Sequence, residues 1–529
     1  MEHFETFLIV LFVAVAGLNV VAYRLGIPYP IPLVIGGLAL GFVPGVPDVE
    51  LEPELVLVIF LPPLLYSAAF FSDLRALRRD LRPISLSAIG LVLATTVSVG
   101  VIAHEAIGMD WAVAFALGAI VSPTDPVAAT AIMRNVGAPR RIVNIVEGES
   151  LVNDASALIL YRTAVAAAVG GSFSAIDAGL EFVGAAVGGV AIGLAVAFVI
   201  GEIRRRIDDA PTEITISLLT GYAAFIPAEE LGLSGVLAAV TAGIYLGFRA
   251  PELISPQTRL QAFGMWEILT FLLNATLFIL IGLQLPVIVD ELDREIWEAI
   301  GWAALICAAV IATRILWNWG MAYIIRALDR REVQRARRAP WQFRFVVSWS
   351  GMRGAVSLAA ALALPLETDA GGAFPERDLI LFITFTLILV TVVGQGLTLP
   401  AVIRGLGVVE DSSEEEGEEL KARLVASRAA LTRLDELEGE DWTHDDTIER
   451  VRGMYRFRQR RFKVRAGKMD DEDGVGIEDR SLAYQRLMHE VFDAQRTELV
   501  RLRDTGEISA EVMRRVEREL DLEESRLEV

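Results

Sequence analysis

The hydrophobic positions of this 529-residue chain come in long blocks separated by short polar connections. A helix of about 20 apolar residues crosses the roughly 30 Å hydrocarbon layer of a membrane, and thirteen blocks approach that length. They cover residues 7–23, 28–43, 54–72, 83–103, 111–133, 142–170, 178–201, 213–228, 233–248, 262–285, 297–325, 342–366 and 378–403. The pattern predicts an all-α polytopic membrane protein with about 13 transmembrane helices.

The arginines of the connections alternate in number along the chain. The odd-numbered connections contain twenty arginines, whereas the even-numbered ones contain only Arg294 and Arg377. Cytoplasmic connections carry the excess of basic residues, and a missed span would invert the alternation for every later connection. We therefore expect a multi-pass protein of the cell (inner) membrane with its N-terminus outside and its C-terminus in the cytoplasm. An odd span count suits two inverted halves plus one linking helix.

Composition changes near Glu410. Residues 1–409 carry 26 arginines, no lysine and 35 acids, whereas residues 410–529 carry 22 basic and 33 acidic residues. This break predicts a transmembrane domain, 1–409, followed by a charged cytoplasmic tail, 410–529.

The tail is predicted to be helical. Residues 411–419 have the composition of an acidic linker, and stretches 418–464 and about 480–527 have that of amphipathic helices. The basic, aromatic stretch 451–468 could contact anionic lipid or form a helix of a tail bundle, and the second interpretation is favoured.

Composition also excludes several classes of function. A net charge of −20 argues against nucleic acid as a partner. The single cysteine, Cys307, excludes a disulfide framework or thiolate metal cluster. The N-terminal run lacks a basic region before it, so we expect a first span rather than a cleaved signal peptide. No cofactor is expected.

Ionisable residues near the centre of the spans cluster in three of them, as Asp125, Glu149, Asp154 and Arg353. Each charge at the membrane midplane costs roughly 2.5–3.5 kcal/mol, so four unpaired charges would cost on the order of 10 kcal/mol. Side chains this costly are rarely kept for packing, and they point to an ion pathway.

Two prolines, Pro123 and Pro126, flank Thr124 and Asp125 in the fifth block. Prolines remove backbone donors and clash with the preceding turn, so the helix should break here. Broken helices hold ions at the midplane of transporters, although a simple proline kink is equally compatible with the pattern. Asp125 is expected to be a structural charge at the break rather than an ion ligand.

In the sixth block, Ser150 and Asp154 are four residues apart and share one helix face. Glu149 lies about 140° round the helix from Asp154 and is expected to pair with Arg353, which lies between Gly351 and Gly354. The alternative is a Glu149 that reaches the membrane surface or is protonated.

A buried carboxylate can couple a cation to a proton. Carboxylate and hydroxyl oxygens suit hard cations such as Na⁺, and burial makes the unpartnered charged carboxylate costly. A proton and Na⁺ then become alternative partners of Asp154, and alternating exposure of the site gives exchange. The four histidines lie away from this cluster in sequence.

Five motifs at these residues resemble the monovalent cation:proton antiporter family of the sodium/proton exchanger type. They are FLPPLLYSAAF (60–70), SPTDPVAATAI (122–132), EGESLVNDASALILY (147–161), FLLNATLFILIGLQLP (271–286) and WSGMRGAVSLAAAL (349–362). Their order and spacing extend the resemblance over essentially all of 1–409.

The resemblance implies an inverted-repeat antiporter fold with broken crossing helices, in a homodimer embedded in membrane lipid. It implies electroneutral exchange of one Na⁺, or K⁺ or Li⁺, for one proton. Asp154 would be the shared ligand, and Asn153 would be a further cation-binding residue that marks the electroneutral type. Thr124 and Ser150 would be further Na⁺ ligands, and Glu149 and Arg353 a structural ion pair.

The sequence departs from the family at Ser67, where many relatives carry an acid assigned to the ion path. Ser67 keeps an oxygen but loses the charge. Arg162 and Arg314 are also buried in spans, and contact with the membrane surface is expected of them.

Two other classes compete with a transporter that is not an enzyme. An intramembrane aspartyl protease would need Asp125 and Asp154 to share a proton, and a Gly-x-Gly-Asp element is missing from the sequence. A passive cation channel is the second rival.

Overall fold

The structure is a computed structural model that describes residues 2–43, 53–170, 174–292, 294–328, 339–369, 371–409, 412–466, 476–525 and 527. It divides into two compact units, 1–410 and 411–529. Part of the arginine-rich eleventh connection lies outside the described residues, namely Arg330, Arg331, Arg335, Arg337 and Arg338.

The first unit is built of helices, and each of the thirteen predicted spans coincides with one helix or a pair of half-helices. Their bounds are Glu2–Leu25, Pro30–Gly41, Pro53–Phe70, Leu81–Ile107, Trp111–Val121 with Pro126–Val136, Arg140–Gly170, Ala175–Arg204, Ala210–Glu230, Gly235–Leu253, Pro256–Asp290, Ile296–Leu328, Trp341–Trp349 with Ala355–Leu362, and Arg377–Gly405. A short helix, Leu74–Arg79, precedes the fourth span. Seven of the described helices are long and apolar enough to cross a membrane unaided, and the predicted all-α polytopic class is confirmed.

Two spans are broken at their centres. The fifth consists of half-helices Trp111–Val121 and Pro126–Val136, which we call the first broken helix. The twelfth consists of half-helices Trp341–Trp349 and Ala355–Leu362, the second broken helix. The prolines predicted the first break. The second break contains glycines but no proline, so the apolar pattern alone gave one block, 342–366, whereas the family resemblance implied more than one broken helix.

The helix Arg140–Gly170, here the site helix, carries the sixth-span acids and packs against the first broken helix. Elsewhere the second and tenth spans approach each other closely. A Cβ atom on Gly37 would lie 2.2 Å from the Ile279 carbonyl oxygen, and one on Gly282 would lie 2.3 Å from the Val34 carbonyl oxygen. Glycine therefore lets these two helices touch backbone to backbone.

The described residues of the second unit form four helices, whereas two long ones were predicted. They are Ser412–Leu437, Asp445–Arg465, Ile477–Asp504 and Ala510–Glu524. Gly439 and Gly506 have φ of +94° and +77° after the first and third of them, a conformation that ends helices. The described part of the predicted acidic linker, from Ser412 onward, is also helical.

Candidate ion-binding site

The two broken helices meet at their breaks, and Asp125 is the centre of that contact. Its backbone N–H donates to the Met352 carbonyl oxygen over 2.8 Å. Its carboxylate accepts the backbone N–H of Val127 at 2.8 Å and also that of Ala355. Both donors lie in the first turn of a half-helix, where N–H groups lack helical partners and carry partial positive charge. Asp125 thus caps two half-helices with one carboxylate.

Gly354 makes this crossing sterically feasible. A Cβ atom at Gly354 would lie 1.8 Å from Oδ2 of Asp125, which is far inside van der Waals contact. The backbone of the second break therefore rests directly against the Asp125 carboxylate.

Glu149 pairs with Arg314 of the eleventh span, not with Arg353. The guanidinium of Arg314 contacts both carboxylate oxygens, with 3.2 Å between Nη2 and Oε2. Arg314 also donates to the carbonyl oxygen of Val347 from Nη2 at 3.1 Å. Both charged side chains are 1% exposed, so the predicted Glu149–Arg353 pair was wrong in its basic partner.

Arg353 is instead satisfied by backbone. Its Nε donates to the carbonyl oxygen of Val121 at 3.2 Å, and Nη1 donates to the carbonyl oxygen of Gly351. Val121 is the last residue of a half-helix, where carbonyl groups carry partial negative charge. Two of its N–H groups are thus hydrogen-bonded to backbone carbonyls rather than to a carboxylate.

Thr124 and Asn153 connect the first break to the site helix. Asn153 Nδ2 donates to the Thr124 hydroxyl at 2.8 Å, and that hydroxyl donates to Oε1 of Glu149 at 3.2 Å. The side-chain oxygen of Asn153 is buried and has no hydrogen bond within the described residues. A continuous polar network therefore runs from Arg314 through Glu149 and Thr124 to Asn153.

Asp154 lies outside this network, on the wall of a cavity of about 520 Å³. The cavity collects seven of the predicted site residues: Ser67, Pro123, Thr124, Asp125, Pro126, Ser150 and Asp154. It does not include Asn153, Glu149 or Arg353. In the described part of the chain, the Asp154 carboxylate has neither a hydrogen bond nor an ion pair, and its neighbour Ser150 has no hydrogen bond.

The cavity reaches the face on which the arginine-rich connections lie. Its rim includes Arg134 and Glu147, whose side chains pair at 2.6 Å, and the half-exposed Phe71 and Phe263. Ser67 lies deeper and donates to the Leu64 carbonyl oxygen at 3.0 Å, so one hydroxyl oxygen lies on this part of the cavity wall.

The residues that sequence reasoning missed are the partners of the charges. Arg314 was expected to contact the membrane surface, although it stands alone in an apolar span in the same way as Arg353. That isolation was the available signal. Arg162 likewise pairs with Glu229. No group of three or more metal-ligating His, Cys, Asp or Glu side chains occurs among the described residues.

A family model described as "Sodium/hydrogen exchanger, transmembrane" matches residues 8–405. An uncharacterised Na⁺/H⁺ exchanger of Mycobacterium bovis is 36% identical over 525 residues, which cover 98% of this chain and 95% of the relative. A Na⁺/H⁺ antiporter of Aphanothece halophytica, ApNhaP, is 34% identical over 438 residues, 82% of this chain and 80% of the relative.

Among solved structures, the sodium proton antiporter MjNhaP1 of Methanocaldococcus jannaschii is similar with a TM-score of 0.59 at 18% identity. The match covers 77% of this chain and 100% of that one. At this identity the likeness concerns the fold, and it confirms the antiporter architecture of the membrane unit.

Proposed function

Because this chain belongs to the sodium/hydrogen exchanger family, as its motifs predicted, and is a multi-pass cell-membrane cation/proton exchanger, we propose that the cation it transports is Na⁺, with K⁺ or Li⁺ as alternatives. The cation and the proton compete for Asp154. Exchange is electroneutral, one cation for one proton.

One observation carries this proposal. Of the three acids at the centre of the two spans, Glu149 is neutralised by Arg314 and Asp125 accepts N–H groups from two half-helices. Only Asp154 faces the cavity without a partner among the described side chains. A site with one uncompensated negative charge is neutralised by one proton or by one monovalent cation, which accounts for the proposed stoichiometry.

The same charge explains why transport is coupled. A bare carboxylate at the membrane centre costs roughly 2.5–3.5 kcal/mol or more, so the unloaded site is disfavoured from moving between the two faces. A protonated or cation-loaded Asp154 is neutral and passes more easily. Alternating access of a site that crosses only when loaded gives exchange rather than leakage.

The proposed cation ligands are oxygens near Asp154. Ser150 shares its helix face and lies on the cavity wall. Thr124 and Asn153, whose hydroxyl and amide are hydrogen-bonded to each other, position the site from behind it. Neutral oxygens together with one carboxylate suit a hard monovalent cation. We further propose that the protein works as a homodimer in membrane lipid with its N-terminus outside, so that the cavity opens toward the cytoplasm.

The test is transport by purified protein in liposomes loaded with Na⁺. An outward Na⁺ gradient should acidify the lumen at a rate that does not change when the membrane potential is clamped. Asp154→Asn, which cannot release a proton or neutralise a cation, should reduce this rate to that of empty liposomes. Asp110→Asn is the matched control, because Asp110 is exposed and makes no capping hydrogen bond at its helix start.

Three results would contradict the proposal. Substantial exchange by Asp154→Asn would remove Asp154 from the ion path. A rate that follows the membrane potential would refute one-for-one stoichiometry. Current without proton movement would indicate a channel. The protease alternative is disfavoured by geometry, because Asp125 is committed to capping two half-helices.

A further inference from the structure

Oxygen atoms on the cavity wall differ in whether the protein already uses them. The Thr124 hydroxyl donates to Glu149 and accepts from Asn153, and the Ser67 hydroxyl donates to the Leu64 carbonyl oxygen. Three buried side chains on the wall carry oxygens without any hydrogen bond in the described residues. They are Asp154, Ser150 and Ser357, which are 6%, 5% and 1% exposed.

Ser357 is the unexpected member of this set. It lies in the first turn of Ala355–Leu362, the second half of the second broken helix. Its hydroxyl oxygen is fully enclosed and has no hydrogen-bond partner in the part of the chain that the structure describes. Burying a hydroxyl without a partner is unfavourable, so a serine of the cavity wall whose hydroxyl is unused is a candidate ligand.

Ser357 lacks the hydrogen bond that many buried serines of these helices make. They donate to a carbonyl three or four residues earlier, as Ser67 does to Leu64 at 3.0 Å and Ser156 does to Val152 at 3.2 Å. For Ser357 those residues are Gly354, which precedes the half-helix, and Arg353, which lies within the non-helical break. Within the described residues neither carbonyl accepts the Ser357 hydroxyl.

We infer that Ser357 is a specificity-determining cation ligand, whose hydroxyl oxygen joins Asp154 and Ser150 around the bound cation. The inference rests on the proposed exchange at Asp154 and extends it to the second broken helix. The cation would then be held between the site helix and that half-helix. Thr124, whose hydroxyl is already engaged on two sides, would position the network behind the site.

The experiment compares Ser357→Ala and Ser357→Cys in liposomes, with Na⁺, K⁺ and Li⁺ each driving exchange. Cysteine keeps the size of the side chain but offers sulfur, a poor ligand for hard cations. Both variants should raise the apparent KM for Na⁺ by about tenfold, change the ratio of the Na⁺ and K⁺ KM values, and keep kcat within about twofold. Ser156→Ala is the matched control, because Ser156 is equally buried on the site helix but lies off the cavity.

Each outcome has one meaning. If Ser357→Cys behaves as wild type while Ser357→Ala does not, the side chain fills space and the inference is wrong. It is also wrong if neither variant changes any KM. If Ser357→Ala does not fold, the cysteine variant alone decides.

If the wild-type protein does not exchange ions, the proposed function fails. Thermal stabilisation of the purified protein by Na⁺ then tests the site, and unchanged stabilisation in Ser357→Cys overturns the inference.

Discussion

The two broken helices solve the same physical problem with opposite charges. Each break exposes backbone N–H and carbonyl groups at a depth where water is scarce, which is costly unless they are satisfied. The first break supplies an acid, Asp125, to the N-terminal ends of both downstream half-helices. The second supplies a base, Arg353, to the carbonyls of Val121 and Gly351. Each of these two charged side chains therefore forms hydrogen bonds with backbone groups of both breaks.

This comparison separates the charges that hold the fold from Asp154, the charge proposed to bind the transported ions. Asp125 and Arg353 are matched to helix ends, and Glu149 is matched to Arg314. Because these charges have fixed structural partners, they are poor competitors for a cation in the cavity. Asp154 differs from them in having no such partner among the described residues. The proposed binding of a proton or a cation by Asp154 follows from that difference.

The largest expected effect on ion exchange comes from separating the two breaks. In Gly354→Ala the new methyl group would lie 1.8 Å from the Asp125 carboxylate, so one break must move away from the other. Overpacking of this kind costs about 1–3 kcal/mol or more, and we expect exchange to fall at least about tenfold. Liposome transport and thermal unfolding of the purified variant measure the effect.

Gly184→Ala is the control for that variant, since an added Cβ at Gly184 meets nothing within 4 Å. It should leave exchange unchanged and stabilise its helix by up to about 1 kcal/mol. Wild-type exchange by Gly354→Ala would mean that the contact between the breaks is not required.

How much of this arrangement the sequence could predict depends on the range of the interaction. Spans and the first break are local features, so apolar blocks and Pro123 and Pro126 were sufficient to place them. The second break depends on the non-local contacts of Gly354 and Arg353. The partner of Glu149 is 165 positions away, and spacing carries no information on which of two buried arginines approaches it.

Ser357 shows the same limit for a ligand. It reads as a small residue in an alanine-rich stretch, and only the structure shows that its buried hydroxyl has no hydrogen-bond partner among the described residues. Conversely, Ser150 and Asp154 follow from a four-residue spacing along one helix, and both lie on the cavity wall.

A double-mutant cycle sharpens the division between the two arginines. Arg314→Met alone should destabilise the protein by about 3–5 kcal/mol, because it leaves Glu149 buried and unpaired. Combining it with Glu149→Gln should recover much of that loss. The coupling free energy for Glu149 and Arg314 should reach about 2–3 kcal/mol, measured by denaturant unfolding of the purified variants.

The parallel cycle with Glu149→Gln and Arg353→Met serves as the comparison. Its coupling should be below about 1 kcal/mol, because Arg353 donates to backbone carbonyls rather than to Glu149. Equal coupling in the two cycles would show that both arginines neutralise Glu149 and would remove the distinction between the breaks.

The smallest effect is expected at the contact between the first break and the site helix. Thr124→Val keeps the shape of the side chain but removes the hydroxyl that joins Asn153 to Glu149. The loss of these two hydrogen bonds should cost about 1–3 kcal/mol and reduce exchange severalfold, with the Na⁺ to K⁺ preference unchanged.

Thr163→Val is the control, because the Thr163 hydroxyl bonds only to the Ile159 carbonyl of its own helix. If Thr124→Val instead changed the preference between cations as strongly as Ser357→Ala, Thr124 would be a direct ligand. The first break would then bind the transported cation as well as stabilise the fold.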